Sequence, residues 1–268
     1  MSSKLTIGFS SCPNDCFIFD ALIHQKIDTR GIEFIPVIED VESLNKRALK
    51  GELDITKLSY HAYMYCQKDY VYLNSGSALG FGCGPLLITH SQEIVEKFDD
   101  ADFRKHLSVL VPGELTTAHY LLKKFFPEIS RKAYVIFSEI ENLLLEKKYD
   151  AGVIIHENRF TYEEKGLRKI ADLGEMWERT TGLPIPLGGI MAKKSLGQEM
   201  INKIDVLVRQ SVEYAFEHTE EVMPFVKQHA QEMSEEVMKQ HIALYVNSYS
   251  IDLREEGRRA VEMFLSRQ

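Results

Sequence analysis

Four short segments of the chain hold residue types that can do chemistry. His156 closes the apolar run Ala151-Gly-Val-Ile-Ile155 and opens the polar, aromatic stretch His156-Glu-Asn-Arg-Phe-Thr-Tyr162. Buried-type residues that stop at a titratable side chain read as a central strand delivering that side chain to its C-terminal edge, where open α/β sheets bind ligands. An imidazole there can move protons near neutral pH. Ser10-Ser-Cys-Pro-Asn-Asp15 follows a strand and precedes a helix, with Asn14 or Asp15 placed to cap it. Its two hydroxyls, Ser10 and Ser11, with the free N–H groups of a helix start, make an anion site without a lysine. Lys57-Leu-Ser-Tyr-His61 is a second strand-to-helix junction, with Ser59 as the cap, and Gly113-Glu-Leu-Thr-Thr-Ala-His119 is a third, capped by Thr116 or Thr117. Each turn taken singly is also what an ordinary capped helix start looks like. Together, four strand ends carrying hydroxyls and an imidazole imply a carboxylate ligand held by hydroxyls and helix N-termini.

The elements that must position these residues alternate along the chain. Strands are expected at Lys4–Phe9, Glu33–Val37, Asp54–Leu58, Tyr70–Asn74, Leu86–Thr89, Ser108–Val111, Ala133–Phe137, Ala151–Ile155 and Leu187–Ala192. Helices are expected from Asn14 to about His24, and at Val41–Lys50, Thr117–Phe126 and Ser138–Lys147. Such alternation implies βαβ units and an α/β fold whose sheets are mixed, mostly parallel and flanked by helices. The last stretch is helical, with Ile204, Leu207, Val208, Ser211 and Ala215 at 3.6-residue spacing. Segments such as Ser234–Val246 read as packing elements or a dimer face, and His24, His218, His229 and His241 as surface or packing residues.

Two Gly/Pro-rich zones break the rhythm, Gly76–Pro85 and Thr181–Gly189. Read as two crossings between domains, they give a larger discontinuous lobe, 1–89 with 188–268, and a smaller lobe, 90–187. A chain that crosses twice is expected to make a hinged, two-lobed molecule with a ligand cleft.

Bulk properties narrow the classes. The chain has 268 residues, 44% hydrophobic and 27% charged, with a formal net charge of -8 and no basic block, so nucleic acid is not the expected partner. No apolar run approaches the roughly 20 residues that span a bilayer, and the N-terminus lacks a signal-peptide core. The expected location is the cytoplasm, with no membrane partner. Cys12, Cys16, Cys66 and Cys83 do not pair at redox or zinc spacing and read as reduced structural residues. Gly80-Phe-Gly-Cys-Gly84 leads into Pro85 rather than a helix, so it is not a dinucleotide loop.

The ordered set Ser11-Cys-Pro-Asn-Asp15, Lys57-Leu-Ser-Tyr-His61, Gly82-Cys-Gly-Pro-Leu-Leu87, Thr116-Thr-Ala118, Ile155-His-Glu-Asn-Arg-Phe-Thr-Tyr162 and Leu183-Pro-Ile-Pro-Leu-Gly188 resembles the 1,4-dihydroxy-6-naphthoate synthases of the futalosine route to menaquinone. Cys16 departs from the Thr common at its place. The resemblance implies a type 2 periplasmic-binding-protein-like fold used as a cofactor-independent, metal-free carbon-carbon lyase. It implies conversion of cyclic dehypoxanthine futalosine to 1,4-dihydroxy-6-naphthoate with loss of dihydroxyacetone. His156 matches the family's general base; Ser59, Thr117 and Ala118 match its likeliest substrate contacts, and Thr116, Ser11 and Asn14 join them from the turns above. The expected partners are a small-molecule carboxylate substrate and, through the C-terminal helices, a second copy in a homodimer. The sister chorismate dehydratases and a non-catalytic small-anion binding protein are the alternatives.

Overall fold

A computed structural model of the chain describes residues 3–230 and 234–266. The chain begins β1 (Ser3–Phe9), α1 (Pro13–Ile23), β2 (Ile32–Ile38), α2 (Val41–Leu49), β3 (Ile55–Ser59), α3 (Tyr60–Cys66), β4 (Tyr70–Tyr72) and β5 (Ala78–Gly80). It continues through β6 (Leu86–Thr89), α4 (Gln92–Lys97), α5 (Ala101–Arg104), β7 (Ser108–Val111), α6 (Thr117–Phe125), β8 (Arg131–Tyr134), α7 (Ile140–Leu145), β9 (Ala151–Ile154), α8 (Asn158–Thr161), β10 (Arg168–Asp172) and α9 (Leu173–Thr181). It returns on β11 (Ile185–Lys193) and ends in α10 (Gln198–Glu217), α11 (Thr219–His229), α12 (Glu235–Tyr245), α13 (Ser248–Ile251) and α14 (Arg254–Leu265).

Two compact units result, one from residues up to Gly80 and from Pro186 onward, the other Phe81–Ile185. The first crossing therefore precedes Leu86–Thr89 instead of following it, because that strand pairs with β9 and β10 of the second sheet. The first sheet runs β2-β1-β3-β11-β4, with β5 on β11; β1 is parallel to β2 and β3, while β11 is antiparallel to β3 and β4. The second runs β10-β6-β9-β7-β8; β7 is parallel to β8 and β9, while β6 is antiparallel to β9 and β10. Both sheets are thus mixed. The parallel share is smaller than the alternation implies, because β6, β10 and β11 join antiparallel.

In the first unit α1 packs against α10, α11 and α12. Ten of its eleven residues are buried, so its sequence Pro13-Asn-Asp-Cys-Phe-Ile-Phe-Asp-Ala-Leu-Ile23 has no continuous polar face. Its aromatics join Ile7, Phe9, Ile190 and the α10 stripe Ile204, Leu207, Val208 and Val212 in one core. Each such side chain, fully buried, contributes roughly 1.5–3 kcal/mol. The stripe read at 3.6-residue spacing faces that core as expected, with the Ser211 hydroxyl donating to the Ile18 carbonyl at 2.6 Å. The α12 face Met238, Ile242 and Tyr245 is likewise buried within its own unit. The second unit has a smaller core of Leu86, Ile88, Leu110, Ile140, Leu144, Ile154, Tyr162 and Leu167. Here the expected strand Ala133–Phe137 is displaced: β8 stops at Tyr134, and Phe137 opens a 3-10 turn that leads into α7.

Candidate functional site

Each sheet gathers two of the four chemical turns. β1 and β3 are parallel neighbours, Ile7 opposite Ile55 and Gly8 opposite Thr56, so their C-terminal ends lie at one edge of the first sheet. That edge carries the 10–15 turn and Ser59. β7 and β9 are parallel neighbours in the second sheet, Leu110 opposite Gly152, and their ends deliver the 113–119 turn and His156 to one edge.

At the first edge the chain departs from the expected capping. Cys12 is the N-cap of α1 and makes no side-chain cap bond, while Pro13 fills the first helical position with its preset φ and no N–H to satisfy. Asn14 and Asp15 therefore lie inside the first turn. The Asp15 carboxylate reaches back: Oδ2 accepts from the Ser10 N–H at 3.1 Å and hydroxyl at 2.7 Å, and Oδ1 accepts from Asn14 Nδ2 at 2.9 Å. Lys57 donates to the same Oδ1 at 2.8 Å and to the Gly76 carbonyl at 3.3 Å. This ion pair is almost fully buried, at 6% and 3% side-chain exposure. A lysine from the neighbouring strand β3 thus meets this turn, which by sequence reads as an anion site without one, and its ammonium is already paired with the Asp15 carboxylate.

The network extends to the C-terminal helices. His241 of α12 lies 2.9 Å through Nε2 from Asn14 Oδ1. Because Asn14 Nδ2 faces a carboxylate, the amide orientation is fixed, and His241 must donate from Nε2. Ser59 stands at the N-cap of α3, yet its hydroxyl does not cap the helix. Asn45 of α2 takes it instead: its Nδ2 donates to Ser59 Oγ at 3.1 Å and its Oδ1 accepts from the Ser59 N–H at 3.0 Å. An acceptor role leaves the hydroxyl its own proton to donate. Ser11, just before the N-cap of α1, is half-buried. Cys16, in place of a hydroxyl, is fully buried and turns its thiol toward the Ser10 carbonyl, and burial pushes its pKa up.

At the second edge Thr116 caps α6, accepting from the His119 N–H at 3.2 Å while donating to the Gly113 carbonyl at 2.8 Å. Thr117 and Ala118 are the buried first residues of that helix. His119 Nδ1 donates to the Glu114 carbonyl at 2.7 Å, so the ring is the Nδ1–H tautomer and Nε2 accepts from Tyr134 at 3.4 Å. Burial holds its pKa below the ordinary imidazole value, against the opposing pull of the Glu114 carbonyl and with the help of Lys132.

His156 lies two residues beyond β9, in the left-handed region at φ 59°. Its ring meets Phe137 edge-on at 4.8 Å. The strand ends at Ile154, so Glu157 does not simply alternate to the opposite face; it occupies the buried N-cap position of α8. The residues after it are tied down on both sides. Asn158 Nδ2 donates to Glu141 Oε2, which also accepts from Lys165 at 2.7 Å. Arg159 donates to the Gly84 carbonyl and pairs with Asp172 at 2.7 Å. Gly84 is required there: a Cβ on it would lie 2.2 Å from the Gly174 Cα, backbone against backbone.

Nothing in the sequence points to Asn45 or Glu141, and the roles of Lys57 and His241 are not assigned from it. Two of these left a signal. Lys57 interrupts Ile55-Thr-Lys-Leu-Ser59, a strand buried at every residue. His241 falls on the same helical spacing as Met238, Ile242 and Tyr245. Among the described residues no helix is long and apolar enough to cross a membrane.

A family model described as menaquinone biosynthesis matches residues 5–268. A protein of Thermus thermophilus named 1,4-dihydroxy-6-naphthoate synthase is 45% identical over 257 residues, 96% of this chain and 91% of its own length. A protein of the same name from Streptomyces coelicolor is 42% identical over 272 residues, 99% of this chain and 93% of its own. Among solved structures, a protein of Archaeoglobus fulgidus matches with a TM-score of 0.90 at 29% identity, covering 98% of this chain and 96% of that one. The alkanesulfonate-binding protein SsuA of Xanthomonas axonopodis pv. citri, bound to MOPS, matches with a TM-score of 0.67 at 12% identity, covering 91% and 84%. The fold is periplasmic-binding-protein-like, with two mixed sheets flanked by helices.

Proposed function

Because this chain belongs to the menaquinone-biosynthesis family, we propose that it is a 1,4-dihydroxy-6-naphthoate synthase. It converts cyclic dehypoxanthine futalosine to 1,4-dihydroxy-6-naphthoate, and the remaining three-carbon fragment leaves as dihydroxyacetone. The names of its relatives, which match nearly the whole chain, support the product. What carries the mechanism is one observation: an imidazole at the C-terminal edge of a central strand, next to a strand whose following turn presents Thr116 and Thr117.

His156 acts as the general base. The substrate is close to an aromatic product, so removal of one proton starts a retro-aldol-like opening that aromatisation drives forward. Such a step asks for a base and for donors that hold the developing charge, and neither an electron carrier nor a Lewis acid is needed to balance it. A positioned base contributes on the order of 10²–10⁴ in rate. Thr116, Thr117, Ala118, Ser11, Asn14 and Ser59 are the proposed substrate contacts. Of these, Asn14 contributes least directly, since its amide is already engaged by Asp15 and His241. The α6 N-terminus suits the substrate carboxylate.

The test is a paired incubation of the purified protein with cyclic dehypoxanthine futalosine and with chorismate. The expected outcome is naphthoate and dihydroxyacetone from the first and no 3-enolpyruvylbenzoate from the second. The reverse result would make the chain a chorismate dehydratase, and binding of either compound without turnover would make it a binding protein. In the same assay His156→Asn should lose about 10²–10⁴ in kcat while still binding product. Wild-type turnover by that variant would remove the base assignment.

A further inference from the structure

We propose that Glu141 is a positioning residue for His156, acting through Asn158. The inference rests on the reading of His156 as the base. Three observations lead to it. First, His156 holds a left-handed backbone, φ 59°, which a side-chain-bearing residue adopts at a cost and keeps only when its surroundings hold it there. Second, the segment 137–145 grips the turn at two points. Phe137 sets its ring against the imidazole, and one turn further on Glu141 accepts from Asn158, the first residue of the helix that follows His156. α7 is in turn pressed onto β9, the strand that delivers the histidine: a Cβ on Gly152 would lie 2.6 Å from the Ile140 side chain. The imidazole and its two restraints therefore share one rigid backing.

The third observation is the state of the carboxylate. Glu141 is 3% exposed, and only one of its oxygens is used. Oε2 takes both Asn158 and Lys165, while Oε1 is buried with no hydrogen-bond partner among the described residues. A half-satisfied buried carboxylate is a poor way to stabilise a fold, and an apolar residue of similar size would serve packing better. What the carboxylate does supply is a fixed acceptor for Asn158. With Arg159 anchored to Gly84 and Asp172, the two residues at the start of the helix after His156 are both tied down. Catalytic geometry is steep enough for this to matter, since a misplacement of about 1 Å can cost about 10²-fold in rate.

The test compares Glu141→Ala, Glu141→Gln, Asn158→Ala and the double Ala variant with wild type, on the naphthoate-forming reaction and by the ¹H–¹³C signals of ring-labelled histidine. His156→Asn identifies the His156 signal and checks the base reading separately. Glu141→Ala and Asn158→Ala should each lower kcat by about 10- to 100-fold with KM within about 2-fold. The double variant should be no worse than either single one. Glu141→Gln, which keeps an acceptor for Asn158, should restore most of kcat. The His156 signal should shift or broaden in the Ala variants and return in Glu141→Gln. If Glu141→Ala does not fold, Asn158→Ala against Glu141→Gln decides the matter. Wild-type kcat and an unmoved His156 signal in folded Ala variants would overturn the proposal, as would losses that multiply in the double variant. Wild-type turnover by His156→Asn would instead remove the base, and the proposal with it.

Discussion

At the edge of the first sheet Ser10, Asn14, Asp15, Lys57 and His241 bond to one another, and a buried carboxylate is met by a buried ammonium. At the edge of the second, Thr116 closes its own helix and His156 stands in a left-handed turn held by its neighbours. Both edges are built alike, from two parallel strand ends in a mixed sheet. They differ in where polarity goes. The first satisfies its charges internally and fixes a frame; the second keeps a titratable ring in a conformation the backbone does not prefer. One sheet edge can be made rigid by closing its polar groups on each other, but a group meant to exchange protons must be held by restraints on its backbone instead.

Removing one half of the buried ion pair should break this contrast most severely. Lys57→Met leaves the Asp15 carboxylate buried without its cation, which costs about 3–5 kcal/mol. Urea unfolding of the intact chain should register that loss. Lys57→Met combined with Asp15→Asn removes the uncompensated charge and should recover part of it. A loss under about 1 kcal/mol for the single variant would mean that water reaches the pair and that the first edge is not closed.

The strain at the second edge predicts a smaller effect with an unusual sign. At an ordinary loop position glycine is no more stable than alanine. At φ 59° alanine carries the left-handed penalty and glycine does not. His156→Gly should therefore unfold later than His156→Ala by about 1 kcal/mol, although both lose the Phe137 contact. Equal midpoints for the two variants would remove the strain from the account of His156.

How far all this was legible in the sequence follows from what each feature depends on. Elements set by local pattern were readable: the β1, β7 and β9 runs, the α10 stripe, and His156 at a strand end. The four turns were readable as turns. The partners of their side chains were not, because Lys57 with Asp15, Asn45 with Ser59 and Glu141 with Asn158 are separated by 42, 14 and 17 residues, and only tertiary packing brings them together. The domain boundary missed for a related reason. A Gly/Pro-rich bend marks that the chain turns, but which sheet Leu86–Thr89 joins is decided by pairing with β9 and β10, strands that lie far downstream. The short α4 and α5 went unread because neither is long enough to carry a period.

The smallest expected effect concerns His119, a histidine at the second edge whose charge the fold opposes. Its pKa in the folded chain lies below the ordinary imidazole value, chiefly because the ring is buried. Between the folded and unfolded values the unfolded chain binds more protons, so stability rises with pH there. The neutral ring's contribution is whole above the unfolded value, about 6.5. It is lost as pH falls from that point toward the folded value. The bond to the Glu114 carbonyl, which favours the charged ring, keeps the effect modest. His119→Gln retains a donor for Glu114 and cannot titrate, so its melting temperature should fall less than that of wild type between pH 8 and pH 5, although it starts lower. The remaining histidines are common to both proteins and cancel in the difference. Parallel curves would mean that the His119 ring takes up its proton without resistance and is not held neutral by the fold.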